Sequence, residues 1–425
     1  MRNQTIFHKI MIILFCSVMI IGFVLGLAFF LRPERSDSEN RELTKFPSFT
    51  FTTFLSGEYT EQISTWFADT FPFREGLIAA NDFVMSLKGF GDEQFQLNVP
   101  QQTPNDAPGT GSDINQGETL GGYFVTGDVG YELLHKNDTV SSNYASLINT
   151  VADQLDGKAT LYTIVVPLAY SYNDAVLNKV KGAGAIDPKD AIDGIYASVS
   201  HGNAVKVDAY SALGAHKDEY LYFRTDHHWT ARGAYYAYTA YCEEAGLEAH
   251  PLSYYKEYKF EGFLGTIYNA SKAQKMQKNP DTVYAYAPRG TNTLYVHPKD
   301  EDIIKFSNSI VRTNTDTAYN ASAKYNCFLT SDNPAETEKS FYISIENPQI
   351  TDGSAVVLVK ESFGNCFAPF LVDHYQYVYV IDYRYFEDNL VSFVEEHNVK
   401  QVIFLNNVMA THTQTRVEKM KGLID

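Results

Sequence analysis

The stretch AVVLVKESFGN, residues 355–365, decides the fold expected for the second half of the chain. Its apolar run up to Lys360 predicts a strand covered on both faces, and Gly364 and Asn365 open a predicted helix. Ser362 lies between the two elements. In a parallel α/β sheet the carboxyl ends of the strands face the ligand crevice, so Ser362 is a candidate nucleophile beside a helix N-terminus. The same position also fits a simple helix cap.

The rest of this half alternates helices and strands. Apolar runs predict strands at 161–167, Ala204–Val207, Ala355–Val359, Tyr377–Ile381 and Gln401–Leu405. Helices are predicted near 230–245, 365–372 and 386–397, and on the single apolar face formed by Tyr144, Leu147, Ile148, Val151 and Leu155. Such alternation predicts an α/β fold with a mostly parallel sheet between helix layers. The polar stretch from about 250 to 350 breaks the rhythm and predicts an insertion or lid.

The N-terminal region predicts a membrane anchor. Ile10–Leu31 carries no charge over 22 residues, slightly more than the ~20 that a helix needs to cross a bilayer. No small-residue cleavage site follows, so we expect the anchor to stay uncleaved. Basic residues flank it on both sides, and a strict charge count would put the long part of the chain in the cytoplasm; long domains, however, translocate largely regardless of charge. The expected organisation is an anchor at 1–31, a helical approach segment with a flexible linker at 32–120, and a main domain at 121–425.

Composition narrows the function classes. The formal charge of −17 and the pI near 5.1 argue against a nucleic-acid surface, which needs clustered Lys and Arg. Beyond the anchor, Cys242, Cys327 and Cys366 permit at most one intrachain disulfide, and no cysteine spacing typical of a metal site is present. The 30 tyrosines are compatible with a surface that stacks on sugars.

A second stretch, RTDHHWT at 224–230, carries an acid and two histidines at the entrance to the helix predicted near 230–245. A serine hydroxyl needs an imidazole to take its proton, and the imidazole needs a carboxylate to hold its tautomer. Asp226 and a following histidine would supply both. Two alternatives stay open: a metal site formed by Asp226, His227 and His228, or a helix start in which Asp226 is the cap and one histidine packs beside Trp229.

The two stretches, in this order, resemble the DHHW family, which is similar to alginate O-acetyltransferases and to SGNH hydrolases. The further matches are SENREL at 38–43, FADTFPFRE at 67–75, GYFVTGD at 122–128, NPDTVYAY at 279–286 and VIDYRYF at 380–386. The resemblance implies an SGNH hydrolase-like three-layer fold. Carried over residue by residue, it implies that Asp226 is the acid, His228 the base and Ser362 the nucleophile, with His227 and Trp229 in supporting roles.

The resemblance also implies the remaining site residues. The oxyanion donors would be the backbone N–H of Ser362 and a group from Gly364 or Asn365. Arg384 would lie at the same sheet edge, either as a substrate contact or as an exposed surface arginine. The sequence departs from the related hydrolases at Glu361, where their Gly-Asp-Ser motif has an aspartate.

The activity that the resemblance implies is O-acetylation of a polysaccharide at the cell envelope, through an acyl-serine. A membrane-bound O-acyltransferase partner would supply the acetyl group, the N-terminal helix would hold the protein on the membrane with its main domain outside, and no cofactor or metal is expected. A carbohydrate acetyl esterase would use the same residues. A non-catalytic polysaccharide-binding or scaffold protein is the alternative from another class, and it does not require Asp226, His228 and Ser362 to meet.

Overall fold

A computed structural model describes residues 31–33, 35–36, 41–42, 45–51, 54, 58–73, 118–120, 122–299, 302–307, 310–312, 321–329 and 340–424. The chain separates into two compact units, Met1–Asn98 and Val99–Asp425. The predicted membrane span lies outside the described residues except for Leu31, as does most of the stretch from Pro100 to Glu118, where the Pro- and Gly-rich sequence predicts the flexible linker. No helix within the described ranges has both the length and the apolar character that a bilayer crossing needs.

In the first unit, a short antiparallel pair of β1 (Arg35–Ser36) and β2 (Arg41–Glu42) precedes helix α1 (Glu58–Asp69). The Trp66 side chain of this helix is buried, and the Arg32 guanidinium lies 4.1 Å from the centre of its ring. Helix α1 falls inside the predicted approach segment.

The second unit begins with a three-stranded antiparallel sheet of β3 (Glu118–Leu120), β4 (Tyr123–Thr126) and β5 (Val129–Tyr131). The elements that follow are α2 Asp138–Leu155, β6 Thr160–Val166, α3 Asp174–Gly182, α4 Pro188–Ser198, β7 Ala204–Val207, α5 Ala209–Gly214, α6 Ala231–Ala245, β8 Lys256–Phe263, α7 Thr266–Ser271, α8 Gln274–Lys278, β9 Asp281–Ala287, β10 Thr293–Pro298, β11 Ile304–Ser307, β12 Ser340–Glu346, β13 Ala355–Lys360, β14 Tyr377–Asp382, α9 Leu390–Glu396, β15 Gln401–Asn407 and α10 Gln414–Lys421.

Eight of these strands form the central sheet, in the order β11-β10-β12-β14-β13-β15-β6-β7. The run from β14 to β7 is parallel throughout, and β12, β10 and β11 extend it antiparallel beyond β14. The prediction of an α/β fold with a mostly parallel sheet is therefore confirmed, and each predicted strand matches an observed one.

Helices cover both faces of the sheet. On β15, Asn406 donates a hydrogen bond to the hydroxyl of Tyr144 in α2, whereas Gln401 accepts one from Tyr241 in α6. Residues an odd number of positions apart on a strand point to opposite faces, so α2 and α6 lie on opposite sides of the sheet. The predicted apolar face of α2 is buried along its length.

The region from 250 to 350 is more regular than its polar composition predicts. Three of its strands, β10, β11 and β12, belong to the central sheet, and β8 and β9 form a separate hairpin. The composition misleads because these strands bury one face only. In β10, Leu294 and Val296 are buried while their neighbours are half-exposed, which gives the alternating pattern of a half-solvated antiparallel strand.

The helix predicted at 365–372 is instead two short 3₁₀ helices, Ser362–Asn365 and Ala368–Leu371. Pro369 offers one reason, because it has no N–H to donate to the carbonyl four residues earlier. The other two predicted helices are confirmed as α6 and α9. Thr230 caps the N-terminus of helix α6, because its hydroxyl accepts from the Gly233 N–H, so Asp226 is not the cap.

Candidate active site

The candidate nucleophile lies at the carboxyl edge of the parallel strands. Strand β13 ends at Lys360 between β14 and β15, and the chain turns at once into the 3₁₀ helix that starts at Ser362. The strand is buried along its whole length, whereas Ser362 is half-exposed. The site can therefore be reached from solvent while its supports are held in the core.

Glu361, the residue that departs from the Gly-Asp-Ser motif, braces this turn. Its carboxylate is fully buried and accepts from the Phe363 N–H at 3.1 Å and from the Asn407 N–H at 3.0 Å. The first bond caps the 3₁₀ helix, and the second ties the turn to the end of β15. The Ser362 hydroxyl lies 3.4 Å from the same carboxylate, too far for a strong hydrogen bond.

The RTDHHWT stretch forms a loop that doubles back before α6. Backbone hydrogen bonds join its two ends, with the Phe223 N–H donating to the His228 carbonyl and the Thr230 N–H donating to the Leu221 carbonyl. The indole N–H of buried Trp229 donates to the carbonyl of Phe363 at 2.9 Å. This bond ties the loop directly to the serine turn.

The loop and the turn bring the three predicted side chains together. The His228 Nε2 lies 2.7 Å from the Ser362 Oγ, and its Nδ1 lies 2.7 Å from a carboxylate oxygen of Asp226. Both distances are those of strong hydrogen bonds, although Asp226 and Ser362 are far apart in sequence. The imidazole thus bridges a carboxylate and an alcohol, as nucleophilic catalysis requires.

The Asp226 carboxylate accepts three further hydrogen bonds. One oxygen also accepts from the His228 N–H at 2.9 Å, and the other accepts from the N–H and the hydroxyl of Thr266, at 2.8 and 3.1 Å. Burial opposes ionisation, but the neighbouring histidines and these donors outweigh it and hold the pKa of Asp226 well below its usual value. Gly265 is needed for this approach, because a Cβ there would meet Asp226 at 2.1 Å.

His227 packs on the base and has its Nδ1 at Thr266. Its Nδ1 lies 2.6 Å from the Thr266 hydroxyl, and its ring centre lies 3.7 Å from that of His228. Burial, reinforced by His228 and by the guanidinium groups of Arg384 and Arg416, lowers the pKa of His227 well below its usual value. His227 is therefore neutral at physiological pH, in keeping with a supporting position.

Tyr325, which motif analysis did not single out, covers the other face of the base. Its ring stacks on His228 at 4.0 Å between centres and 11° between planes, so His228 lies between Tyr325 and His227. The Tyr325 hydroxyl donates to the Ser362 carbonyl at 3.0 Å and contacts the Cys366 thiol at 3.3 Å. One side chain thus orients both the base and the serine turn.

Asp281 anchors the start of the RTDHHWT loop. Its side chain is fully buried and accepts from the Tyr220 hydroxyl at 2.7 Å, the Thr225 N–H at 2.8 Å and the Thr225 hydroxyl at 2.7 Å. Arg224 adds its backbone N–H and its Nε. Burial raises the pKa of Asp281 despite these donors. The residue belongs to the NPDTVYAY motif, which is the one sequence signal that pointed to it.

The predicted oxyanion candidates differ in their surroundings. The Gly364 N–H already donates to the Glu361 carbonyl, and a Cβ on this glycine would collide with the stem of Lys360. A glycine is therefore needed at this position because the Lys360 side chain packs closely against it. Asn365 is half-exposed, and no group in the described part of the chain hydrogen-bonds to its buried Oδ1.

Of the two predictions for Arg384, a substrate contact or an exposed surface arginine, the second is wrong. It is half-buried and makes two hydrogen bonds, of 2.8 and 2.6 Å, to the Asp382 carboxylate, which also pairs with Lys360 at 2.8 Å. Burial lowers the pKa of Lys360 even with this partner, whereas the two cations outweigh burial and lower that of Asp382. This buried cluster fixes the strand ends beside Ser362.

The three predicted metal ligands do converge. Donor atoms of Asp226, His227 and His228 lie within 4.8 Å of one another, forming the one such group found among the described residues. Most of these atoms are already engaged, because both Asp226 oxygens and both His228 nitrogens take part in the hydrogen bonds above. A bound ion would have to break the bridge between Asp226 and His228 or the one between His228 and Ser362.

Of the three cysteines beyond the predicted anchor, Cys242, Cys327 and Cys366 are all buried free thiols. The one intrachain disulfide that the count permits is therefore not formed.

Comparison with solved structures supports this description of the fold. A crystallised DHHW family protein from Eubacterium siraeum DSM 15702 is 29% identical, and the alignment covers 73% of this chain and 98% of that one with a TM-score of 0.63. Bacillus cereus PatB1, in a structure with a sulfonyl adduct, is 13% identical over 73% of this chain and 98% of its own, with a TM-score of 0.56.

The O-acetyltransferase domain of Pseudomonas putida AlgJ is less similar to this chain. It is 12% identical over 75% of this chain and 99% of that domain, with a TM-score of 0.38. No curated protein matches the chain. The model of the DHHW protein family matches residues 39–102 and 96–381, which together span most of the sequence. The chain therefore belongs to the DHHW family, as its motifs predict.

Proposed function

We propose that the protein is an O-acetyltransferase that moves an acetyl group onto a polysaccharide hydroxyl through an acyl-serine on Ser362. The observation that carries the proposal is the pair of 2.7 Å contacts that link Ser362, His228 and Asp226. The scaffold alternative gives no reason for these side chains to meet, so the distances favour the enzyme.

The protonation state follows from the hydrogen bonds. Asp226 is ionised and accepts only, so the His228 Nδ1 carries the proton that is donated to it. The neutral ring then has its lone pair on Nε2, which accepts from the Ser362 hydroxyl. This is the tautomer that a general base needs.

In the first step, the Ser362 Oγ attacks the acetyl carbonyl while its proton passes to the His228 Nε2. The bond from the carbonyl carbon to the donor oxygen breaks, and that oxygen takes the proton from His228. Asp226 stabilises the imidazolium between these events. The backbone N–H of Ser362 and the side-chain amide of Asn365 are the oxyanion donors that we propose, since the Gly364 N–H is already used.

In the second step, His228 takes the proton of a sugar hydroxyl, whose oxygen attacks the acyl-serine. The ester bond to Ser362 breaks, and the Oγ recovers its proton from His228. If water replaces the sugar, the same residues give an acetyl esterase. The acceptor admitted to the site decides between the two reactions.

Two further observations support this chemistry. The PatB1 structure carries a sulfonyl adduct, and sulfonyl reagents modify activated nucleophiles. The resemblance of the family motifs to those of alginate O-acetyltransferases makes acetyl the acyl group that we propose. The charge-free run at Ile10–Leu31 supports a cell-membrane location. The resemblance to alginate O-acetyltransferases is the reason that we propose a catalytic domain outside the cell, next to a membrane-bound O-acyltransferase as donor.

Mass spectrometry after incubation with an activated acetyl ester tests the proposal. We expect one added acetyl group that maps to Ser362, and ester turnover that Ser362→Ala abolishes. Ser354→Ala is the matched control, because Ser354 lies just before the other end of β13. Undiminished turnover in Ser362→Ala, or an acetyl group on another residue with Ser362 unmodified, would contradict the acyl-serine mechanism.

A further inference from the structure

A groove of about 420 Å³ borders the RTDHHWT loop on the side of the β8–β9 hairpin. The residues that line it are Tyr220, Arg224, Thr230, Arg232, Glu257, Lys259, Thr282, Tyr284 and Tyr286. Its volume lies in the range of small-molecule sites. The mechanism proposed above assigns no role to this groove.

Cross-strand pairs of the β8–β9 hairpin form one wall of the groove. Glu257 of β8 pairs with Tyr286 of β9, and Lys259 pairs with Tyr284. Side chains two positions apart on a strand share a face, so a carboxylate, an ammonium and two phenol rings project together. The other lining residues include Tyr220 and Arg232, which lies in the first turn of α6.

The groove adjoins the catalytic loop. Arg224 and Thr230 line it, and they are the first and last residues of the stretch that carries Asp226 and His228. A polymer bound there would lie against the loop that presents the base. This inference rests on the proposed function, because it concerns the acceptor of that reaction.

The cations of the groove are already paired. Arg232 contacts Glu219 at 2.9 Å, Arg224 contacts Asp281 at 3.2 Å, and Lys259 contacts Glu257 at 3.4 Å. An anionic ligand would therefore meet cations whose charge is already balanced by neighbouring carboxylates, and that of Glu257 lines the groove itself. The whole chain, at −17, also repels a polyanion at long range.

We propose that this groove binds a run of uncharged sugar residues of the acceptor polymer. Sugar hydroxyls both donate and accept, which matches a wall that offers carboxylate, ammonium, guanidinium and phenol groups side by side. Sugar rings also present apolar C–H faces, and the half-exposed rings of Tyr220 and Tyr284 offer the aromatic surface for them. An acidic polymer gains no net attraction here.

Calorimetric titration of the full chain with oligosaccharides, without any acetyl donor, tests this site. The probes are neutral oligomers of glucose, galactose, mannose and N-acetylglucosamine, with oligogalacturonate of equal length as the acidic counterpart. We expect at least one neutral oligomer to bind more tightly than the acidic one. Tyr284→Ala should weaken that binding about tenfold, the effect of losing one ring contact.

Tyr295→Ala is the matched control. The Lys259 ammonium lies 5.1 Å from the centre of the Tyr284 ring. Tyr295 is likewise a half-exposed tyrosine on a strand with a lysine ammonium over its ring, but it lies in the central sheet and outside the groove. Its substitution should leave neutral-sugar binding unchanged. Circular dichroism and a cooperative melt check that both variants are folded.

The proposal is overturned if no neutral oligomer binds, if oligogalacturonate binds more tightly, or if folded Tyr284→Ala binds as well as Tyr295→Ala. These outcomes are independent of the acyl-serine test. Loss of sugar binding leaves acetylation of Ser362 standing, and an unreactive Ser362 leaves a binding result standing.

Discussion

Two groups of residues in the second unit build the site in different ways. Asp226, His228 and Ser362 would do the chemistry, and they lie on the loop before α6 and at the end of a parallel strand. Thr266 and Tyr325 hold them in place, and they come from the polar region between 250 and 350. Thr266 lies 40 residues from Asp226, and Tyr325 lies 37 residues from Ser362.

The difference teaches where function can be read from a sequence. A nucleophile, a base and an acid have few chemical substitutes, so their types and order form a pattern. A support needs only a donor, a ring or a small residue at the right place, which many sequences provide. We therefore expect loss of a chemical residue to stop the reaction and loss of a support to weaken it.

The largest expected effect is that of Asp226→Asn. An amide facing the His228 Nδ1 favours the opposite tautomer, which directs an N–H at Ser362 and leaves no lone pair to take its proton. We expect kcat to fall on the order of 10⁴-fold in an acetyl-ester assay, with the fold retained.

Asp193→Asn, at an exposed aspartate paired with Lys189, is the control for the charge change and should behave as the unaltered protein. A fall of less than about tenfold in Asp226→Asn would place this carboxylate among the supports, and the distinction between the two groups would fail at its main member.

The next effect concerns Asp281, a support that acts on the whole loop. An amide in place of its carboxylate would turn a donor toward the Tyr220, Arg224 and Thr225 donors. Breaking such a buried charged network costs about 3 kcal/mol of unfolding free energy. We expect Asp281→Asn to lower the unfolding free energy by about this amount, measured as a lower denaturant midpoint at an unchanged m-value, and to reduce turnover only in proportion to the loss of folded protein.

Turnover by the folded fraction of Asp281→Asn measures this second point. If that fraction is as inactive as Asp226→Asn, then Asp281 takes part in the chemistry and does not simply hold the loop.

The five parallel strands of the central sheet, the helices α2, α6 and α9 and the three residues of the candidate triad could be predicted from the sequence, because apolar periodicity and residue type carry that information. The 3₁₀ helices after Ser362 could not, since strand-end packing and Pro369 override the helical pattern. Strands β10 to β12 escaped because their half-exposed faces are polar. Tyr325 had no local signal, because its role depends on a ring from one segment meeting an imidazole from another.

Substitutions of Tyr325 can distinguish the contribution of its ring, which stacks on His228, from that of its hydroxyl, which donates to the Ser362 carbonyl. Its ring faces the His228 imidazole, which becomes a cation when it takes the serine proton, and an aromatic face stabilises a nearby cation by about 1–2 kcal/mol. Tyr325→Phe keeps this ring and loses the hydroxyl, whereas Tyr325→Leu loses both.

We expect Tyr325→Leu to lower kcat about tenfold with KM unchanged, since the cation exists only during the reaction. Tyr325→Phe should retain most of the activity. Equal losses in the two variants would show that the hydroxyl, through the Ser362 carbonyl, is the part that matters.

The smallest effect should come from a histidine in neither group. His374 shares a hydrogen bond with the Tyr238 hydroxyl, and its ring stacks on that of His250. Burial, together with the neighbouring His250, lowers the pKa of His374 to about 4. Its unfolded value is about 6.5, so between pH 6.5 and 4 the unfolded chain binds more protons than the folded one, and stability falls as the pH falls. His374→Gln should reduce this fall by about 1 kcal/mol, discounted for partial exposure, while ester turnover at pH 7 stays unchanged.

Chemical denaturation at pH 7 and pH 5 measures this change in unfolding free energy, with His135→Gln as the exposed control. An unaltered pH slope would mean that His374 is not the group that resists protonation, and a loss of turnover would extend the supporting group beyond the residues around the triad.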